Sequence, residues 1–350
     1  STLEPLLAVL RGSFDSIPDK FYFLDINGKI NFDANSNNKL SLAFYAGNDN
    51  VVFPFAEDAS ISLLYGNQTL SANWSHIFSE RLFGNLTVTG SRYFNFPSFD
   101  IASTPFERSN NIFDFSVKGD LEYLLGKNHE LETGFWVGTL TLKLRDKFDG
   151  NENFSSRIHT NYASWYLQDT WQLSDTWKFT PGVRINGFSE GNYIRVEPRI
   201  SAEYEPSDAL RFQAAYGRYN QYLTLITNEA FSGFDVWLTT DQGVPPAFGD
   251  QFVLGAKTVP WEGYGFDVEL YYRTMDDLFE LDPFLPDPAG LAYPDLFRYG
   301  TGYAYGSEFL FEKQIGRLTG FLGYTLSVTR RKFPDFNEPV GGSSARFYPP

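Results

Sequence analysis

Polar and apolar positions alternate with a period of two through most of this chain, most clearly from Ala163 to Tyr222. In the first run Ala163, Trp165, Leu167, Trp171 and Leu173 are apolar, Ser164, Gln168, Thr170 and Gln172 are polar, and Asp169 is the one misfit. After Ser174-Asp175-Thr176 the apolar set is Trp177, Phe179, Pro181, Val183 and Ile185. A third run sets Ile194, Val196, Pro198, Ile200, Ala202 and Tyr204 against Arg195, Glu197, Arg199, Ser201, Glu203 and Glu205. A turn at Pro206-Ser207-Asp208 leads to Leu210, Phe212, Ala214 and Tyr216. Period two sends successive side chains to opposite faces, so these are strands with one greasy and one wet face. The runs reach about ten residues, longer than the 5–6 or so of a sandwich strand and enough to cross a hydrocarbon layer at a tilt near 45°. Trp171 and Trp177 flank a turn where an interfacial aromatic girdle would sit. The pattern predicts an all-β fold, a transmembrane antiparallel up-and-down β-barrel.

The remainder of the chain repeats the rule. Residues 1–20 hold a short apolar patch, Leu6, Leu7, Val9 and Leu10, read as loop or local helix. From Phe21, Tyr22, Leu24, Ile26, Ile30 and Phe32 point outward while Asp25, Asn27, Lys29, Asn31 and Asp33 point inward. About fourteen strands are expected, short turns alternating with longer connections at residues 48–59, 96–110, 146–155, 224–250 and 282–297. Tight periplasmic turns and long extracellular loops give outer-membrane barrels that asymmetry. The stretch from Leu140 to Leu144 changes phase, which reads as a bulge or an extension above the membrane. Nothing suggests a second domain, so residues 1–350 are expected to form one partial outer-membrane β-barrel domain.

Composition narrows the function classes. Aromatic residues make up 18%, above the needs of a soluble core, and a mean hydropathy of -0.30 is compatible with strands that wet half their side chains. With no cysteine the chain has no disulfide framework, thiolate metal site or cysteine nucleophile. A net charge of -15 disfavours nucleic acid as a partner, since phosphate binding needs clustered Lys and Arg.

The run YASWYLQDTWQLSDTWKFTPGVRI at 162–185, followed by VEPRISAEYEPSDALRFQAAYGRYNQ at 196–221, resembles the middle of a TonB-dependent outer-membrane receptor of Bacteroidota type. FYFLDINGKINFDANSNNKLSLAFYAGND at 21–49 and YAYGSEFLFEKQIGRLTGFLGYTLSVT at 303–329 extend the resemblance over most of the chain. Members of that family have 22 strands, a globular plug and a TonB box; no plug is visible before Phe21, and the chain stops at ARFYPP where further strands would follow. The resemblance therefore implies a barrel portion lacking the plug and the last strands. It implies plug-gated, energy-coupled import of a scarce nutrient (siderophore, cobalamin, glycan or peptide), driven by TonB, ExbB and ExbD through a plug not present in this chain. Outer-membrane lipid, lipopolysaccharide and a surface lipoprotein are further expected partners. No cofactor is expected. A passive porin, or the structural barrel of an outer-membrane complex, would share the same wall.

Chemistry-bearing motifs are sparse. His76, His129 and His159 lack ligand spacing and read as lumen, turn or loop residues; Asp276-Asp277 and Asp282 with Asp287 read as a solvated acidic rim, not a calcium site. His159 lies near Ser156 but has no acid partner, so no enzyme is expected. Phe231, Phe234 and Trp237 in the longest connection, with Phe284, Tyr293 and Phe297 in the next, offer stacking surfaces for a ligand. Packing of the loops against one another accounts for the same side chains and is the more ordinary use of them. Arg330, Arg331 and Lys332 suit lipopolysaccharide phosphates or an anionic ligand, or a solvated cap.

Overall fold

The computed structural model describes residues 4–10, 18–56, 58–226, 234–282 and 291–334. The apolar patch at the start forms a short helix, α1 (Glu4–Leu10). Seventeen strands follow: β1 (Lys20–Asn35), β2 (Asn38–Ala56), β3 (Ala59–Ser79), β4 (Leu82–Asn95), β5 (Ser98–Ile101) and β6 (Thr104–Leu125). Next are β7 (His129–Phe148), β8 (Asn151–Gln172), β9 (Trp177–Phe188), β10 (Tyr193–Ser207) and β11 (Leu210–Gln221). The last are β12 (Leu223–Ile226), β13 (Val236–Thr239), β14 (Ala247–Trp261), β15 (Tyr264–Leu281), β16 (Phe297–Lys313) and β17 (Gly320–Lys332). Fourteen of these pair in one antiparallel path that skips β5, β12 and β13, in agreement with the strand count expected from the sequence. β5 bridges the tops of β3 and β6, and β12 and β13 form a small separate ladder.

The register carries the alternation across strands as well as along them. Phe32, Leu40, Trp74, Leu86, Gly119, Phe135, Trp165, Ile185 and Val196 follow one another in a single row of paired positions. The neighbouring row on the other face is Asn31, Ser41, Asn73, Thr87, Lys118, Trp136, Ser164, Asn186 and Arg195. The apolar row is bare: Phe32 is 60% exposed, Val196 52% and Trp165 44%. In water so continuous an apolar patch is an association or aggregation surface, whereas in a bilayer it is the wall's solvent-matched face. Gly119 lets that wall close over itself, because an added Cβ would lie 2.5 Å from the Phe135 ring that covers it.

Asp169, the misfit on the outer face, is answered locally. The ring nitrogen Nδ1 of His129, across the ladder, lies 2.8 Å from its carboxylate, and the same imidazole stacks on Trp171 with centroids 5.5 Å apart. The pair stands beside the short turn at 126–128, at the rim where the girdle residues Trp171, Trp177 and Tyr204 gather; Trp177 stacks on Tyr204 at 4.5 Å.

Three of the expected long connections are strand instead. Residues 48–59 belong largely to β2 and β3, residues 96–110 to β5 and β6, and residues 146–155 to β7 and β8, which meet across Asp149-Gly150. Above the bilayer both faces meet polar surroundings, so side-chain alternation lapses while the backbone ladder still needs its hydrogen bonds and continues. β8, at 22 residues, is about 70 Å long at ~3.3 Å per residue, well beyond what crossing requires.

The phase change at Leu140 to Leu144 is not a bulge. β6 and β7 pair without a register shift from Phe106 opposite Phe148 to Leu125 opposite His129. Leu142 and Leu144 stay on the lumenal side and are buried because the lumen at that height is filled with protein. There Ile112, Leu142, Leu144 and Ile158 of the wall pack against Ile226, Val236, Leu238 and Val244 of the inner segment and against Phe279, Tyr293, Leu296 and Phe297. The chain's buried apolar core is thus at the loop end, inside the wall.

Candidate ligand site

The longest connection turns inward. β13 pairs with β12 along one edge only, and on its other edge backbone groups are satisfied by side chains reaching from the wall. The Asn110 side-chain amide donates from Nδ2 to the Trp237 carbonyl at 3.1 Å and accepts from the Trp237 N–H at 3.0 Å, so one fully buried asparagine stands in for an adjacent strand. Two residues on, the Tyr293 hydroxyl accepts from the Thr239 N–H at 3.1 Å and donates to the Thr239 carbonyl at 3.0 Å. Burial pushes the Tyr293 hydroxyl well above its ordinary pKa, which keeps it a donor. Asn95 donates to the Asp235 carbonyl, Tyr193 to that of Asp241 and Tyr299 to that of Gly243. Backbone buried without such partners would cost about 1–3 kcal/mol per group, so these contacts fix where the segment sits.

Beneath this inner ladder lies a cavity of about 660 Å³ on the lumenal face. Trp237 covers it, meeting Tyr93 edge to face at 6.4 Å, and Trp136 and Tyr162 meet at 5.2 Å on its wall. Tyr222 contributes a further ring, its hydroxyl pushed up to about 12 by burial and so neutral. Asn67, Thr69, Ser91, Asn186 and the Asp114 carboxylate, which accepts from the Tyr162 hydroxyl at 2.7 Å, supply hydrogen-bonding groups. Aromatic faces with a few convergent polar groups are the usual make-up of a small-ligand pocket.

The residues expected from sequence separate into groups. Trp237 lines the cavity. Phe234 is 7% exposed and stacks on Phe106, while Tyr293 and Phe297 are buried against each other as packing for the inner segment. Phe231, Phe284 and Asp287 lie outside the described residues. Arg330, Arg331 and Lys332 do not act as one cluster: strand parity sends Arg331 to the opposite face from the other two, where its guanidinium lies 3.4 Å from the Glu280 carboxylate. Asp282 is not a solvated rim group; it is nearly buried and accepts from the Arg298 Nε at 2.6 Å. Ser156 and His159, three residues apart on β8, face opposite sides, and the His159 ring meets Thr141 Oγ1 instead. Tyr93, Trp136, Tyr162 and Tyr222 were missed; for the first three the available signal was an aromatic residue at the wet parity of a strand, whereas Tyr222 lies between β11 and β12 and carries no such signal.

The solved structure of the ferripyoverdine receptor of the Pseudomonas aeruginosa outer membrane, bound to ferripyoverdine, aligns with a TM-score of 0.67 at 13% identity over 91% of this chain and 51% of that one. The ferric-catecholate import receptor Fiu of E. coli K12 aligns at 0.66 with 11% identity over 93% and 60%. The RagAB peptide transporter aligns at 0.60 with 11% identity over 90% and 47%. This chain therefore spans about half the length of the structures it matches. No curated protein sequence matches it. The family model described as TonB dependent receptor-like, beta-barrel matches residues 10–347, so the chain belongs to that family and is an outer-membrane β-barrel.

Proposed function

We propose that this chain is the wall and inner-loop portion of a plug-gated importer that takes up a scarce nutrient with energy delivered by TonB, ExbB and ExbD. The observation that carries the reading is the inner segment clamped by Asn110 and Tyr293 above an aromatic cavity, because a wide barrel selects by binding, not by size. Family membership supports the coupling to TonB. The structural neighbours include a ferric-catecholate import receptor and a peptide transporter, so the cavity residues, not the fold, determine what is carried. Closing the cylinder gives β1 and β17, each with one neighbour in the sheet, a second partner strand, since unpaired backbone groups in hydrocarbon cost several kcal/mol each. A plug domain then occupies the lumen, and a surface lipoprotein can cap it.

Uptake by cells carrying or lacking the protein decides the matter, using ferric siderophores, cobalamin, oligosaccharides and peptides as probes. Accumulation that vanishes on adding a protonophore or deleting TonB is expected for one class. Accumulation indifferent to both would mark a passive pore and overturn the reading.

A further inference from the structure

The outer wall carries a second organised surface, on β4, β6, β7 and β8. Its outward residues grade row by row from hydrocarbon to cation. Val88, Val117, Val137 and Ala163 share one row, and Gly90, Phe115, Thr139 and Asn161 the next. Above them come Arg92, Phe113, Thr141 and His159, then Phe94, Asn111, Lys143 and Arg157, then Ser109, Arg145 and Ser155. Arg157 is about 14 residues beyond the girdle residue Trp171 on β8, a height of roughly 33 Å at ~3.3 Å per residue and a 45° tilt. That is the level of headgroup phosphates on the far side of a hydrocarbon layer about 30 Å thick.

The cations converge without carboxylates to hold them. Lys143 and Arg157 stand directly opposite each other, a placement that repels unless a counter-charge sits between them. The Phe113 ring gathers two of the cluster, with the Arg92 guanidinium 5.3 Å and the Lys143 Nζ 5.4 Å from its centroid. Among the described residues, Arg92, Lys143, Arg145 and Arg157 make no ion pair; the Arg92 Nη2 donates to the Asn111 side-chain oxygen at 3.1 Å, while its Nε is buried with no hydrogen-bond partner. On the lumenal face, by contrast, Arg108, Lys118, Lys178, Arg211 and Lys257 each have a carboxylate. The outward carboxylates of these strands above the lipid belt, Glu107 and Glu152, stand higher, opposite Lys147. Just below the cations a groove of about 640 Å³ opens on the wall over Gly90, with Phe44, Leu70 and Phe115 along it.

We propose that this face seats one phosphorylated lipid of the outer leaflet, its phosphates among Arg92, Lys143 and Arg157 and an acyl chain in the groove over Gly90. A chain of net charge -15 that leaves four cations unpaired at phosphate height complements an anionic headgroup, and the groove is continuous with the lipid belt. The site is independent of the import reading and of residues 330–332.

Native mass spectrometry of the protein purified from outer membranes, titrated with diphosphoryl lipid A, its dephosphorylated form and inorganic phosphate, tests the assignment. A one-to-one complex with the diphosphoryl lipid is expected, weakened about 30-fold in the double variant Lys143→Ala with Arg157→Ala, the scale of two basic residues near an anionic lipid surface. Gly90→Leu, where an added Cβ has its nearest neighbour 4.0 Å away, fills the groove and weakens lipid binding. The exchange Lys143→Arg with Arg157→Lys restores it, and Arg330→Ala with Lys332→Ala leaves it unchanged. Equal retention by the wild type and the alanine double variant, equal binding of the dephosphorylated lipid, or displacement by millimolar inorganic phosphate would overturn the proposal.

Discussion

Asn110 shows how much one side chain decides. Its amide closes both backbone groups of Trp237, and truncation leaves a buried N–H and a buried carbonyl unanswered. The variant Asn110→Ala is expected to weaken docking of the inner ladder by about 1–3 kcal/mol. Amide exchange at Trp237 should then accelerate roughly tenfold to a hundredfold while β7 and β8 exchange as before; unchanged protection at Trp237 would mean that packing alone holds the segment. Asn110 was invisible in the sequence, because an asparagine on the wet parity of a strand looks like any lumenal polar residue. The value of its amide depends on a segment more than a hundred residues away arriving beside it. Asp169 is the opposite case. Its misfit in the alternation was legible, but its answer, His129, required the β7 to β8 register.

At the scale of elements, the sequence was most readable where lipid imposes alternation and least readable above it. The Asp149-Gly150 turn illustrates the point: both residues are left-handed, at φ 49° and 74°, the geometry of a two-residue hairpin that this pair of residue types favours. Without alternating neighbours the signal read as a loop. Ala102 and Ser103 make the same geometry, at φ 51° and 62°, with residue types that pay for it. Replacing Ser103 with Gly should stabilise the β5 to β6 hairpin by about 0.5–1 kcal/mol, seen as slower cleavage there by added protease; faster cleavage would show that the serine is needed. The loop end also has a pH response. Burial, and then a hydrogen bond shared with Asp241, holds the Glu190 carboxyl above its ordinary range. A carboxyl that keeps its proton more tightly in the docked state stabilises that state at low pH, fully below the ordinary glutamate value, and the contribution is lost as pH rises through the raised value. Docking of the segment around Asp241 should therefore loosen with rising pH, and Glu190→Gln should remove that dependence in amide exchange of Asp241 and Val244. A pH profile identical in both proteins would refute it.

For the whole molecule, the sides of the wall follow from parity alone, and this makes the tryptophans a test of the architecture. Strand count, girdle and family were legible because period two, sustained over lengths that cross a bilayer, admits few folds. The inward turn of the longest connection was not legible, since neither composition nor periodicity says whether a loop rises into water or sinks into a lumen. Trp74 and Trp165 lie in the bare apolar row, Trp136 lies in the polar row one residue over, and Trp237 sits on the inner ladder. In vesicles of lipids brominated on the acyl chain, variants retaining only Trp74 or Trp165 should lose most of their fluorescence, because the bromines reach only rings that face hydrocarbon. Variants retaining only Trp136 or Trp237 should be quenched little, and Trp237 should respond instead to a ligand entering the cavity. Strong bromine quenching at Trp136 with none at Trp165 would turn the wall inside out, placing the lumenal cavity in lipid and leaving the cationic rows on β4, β6, β7 and β8 with no headgroup to meet.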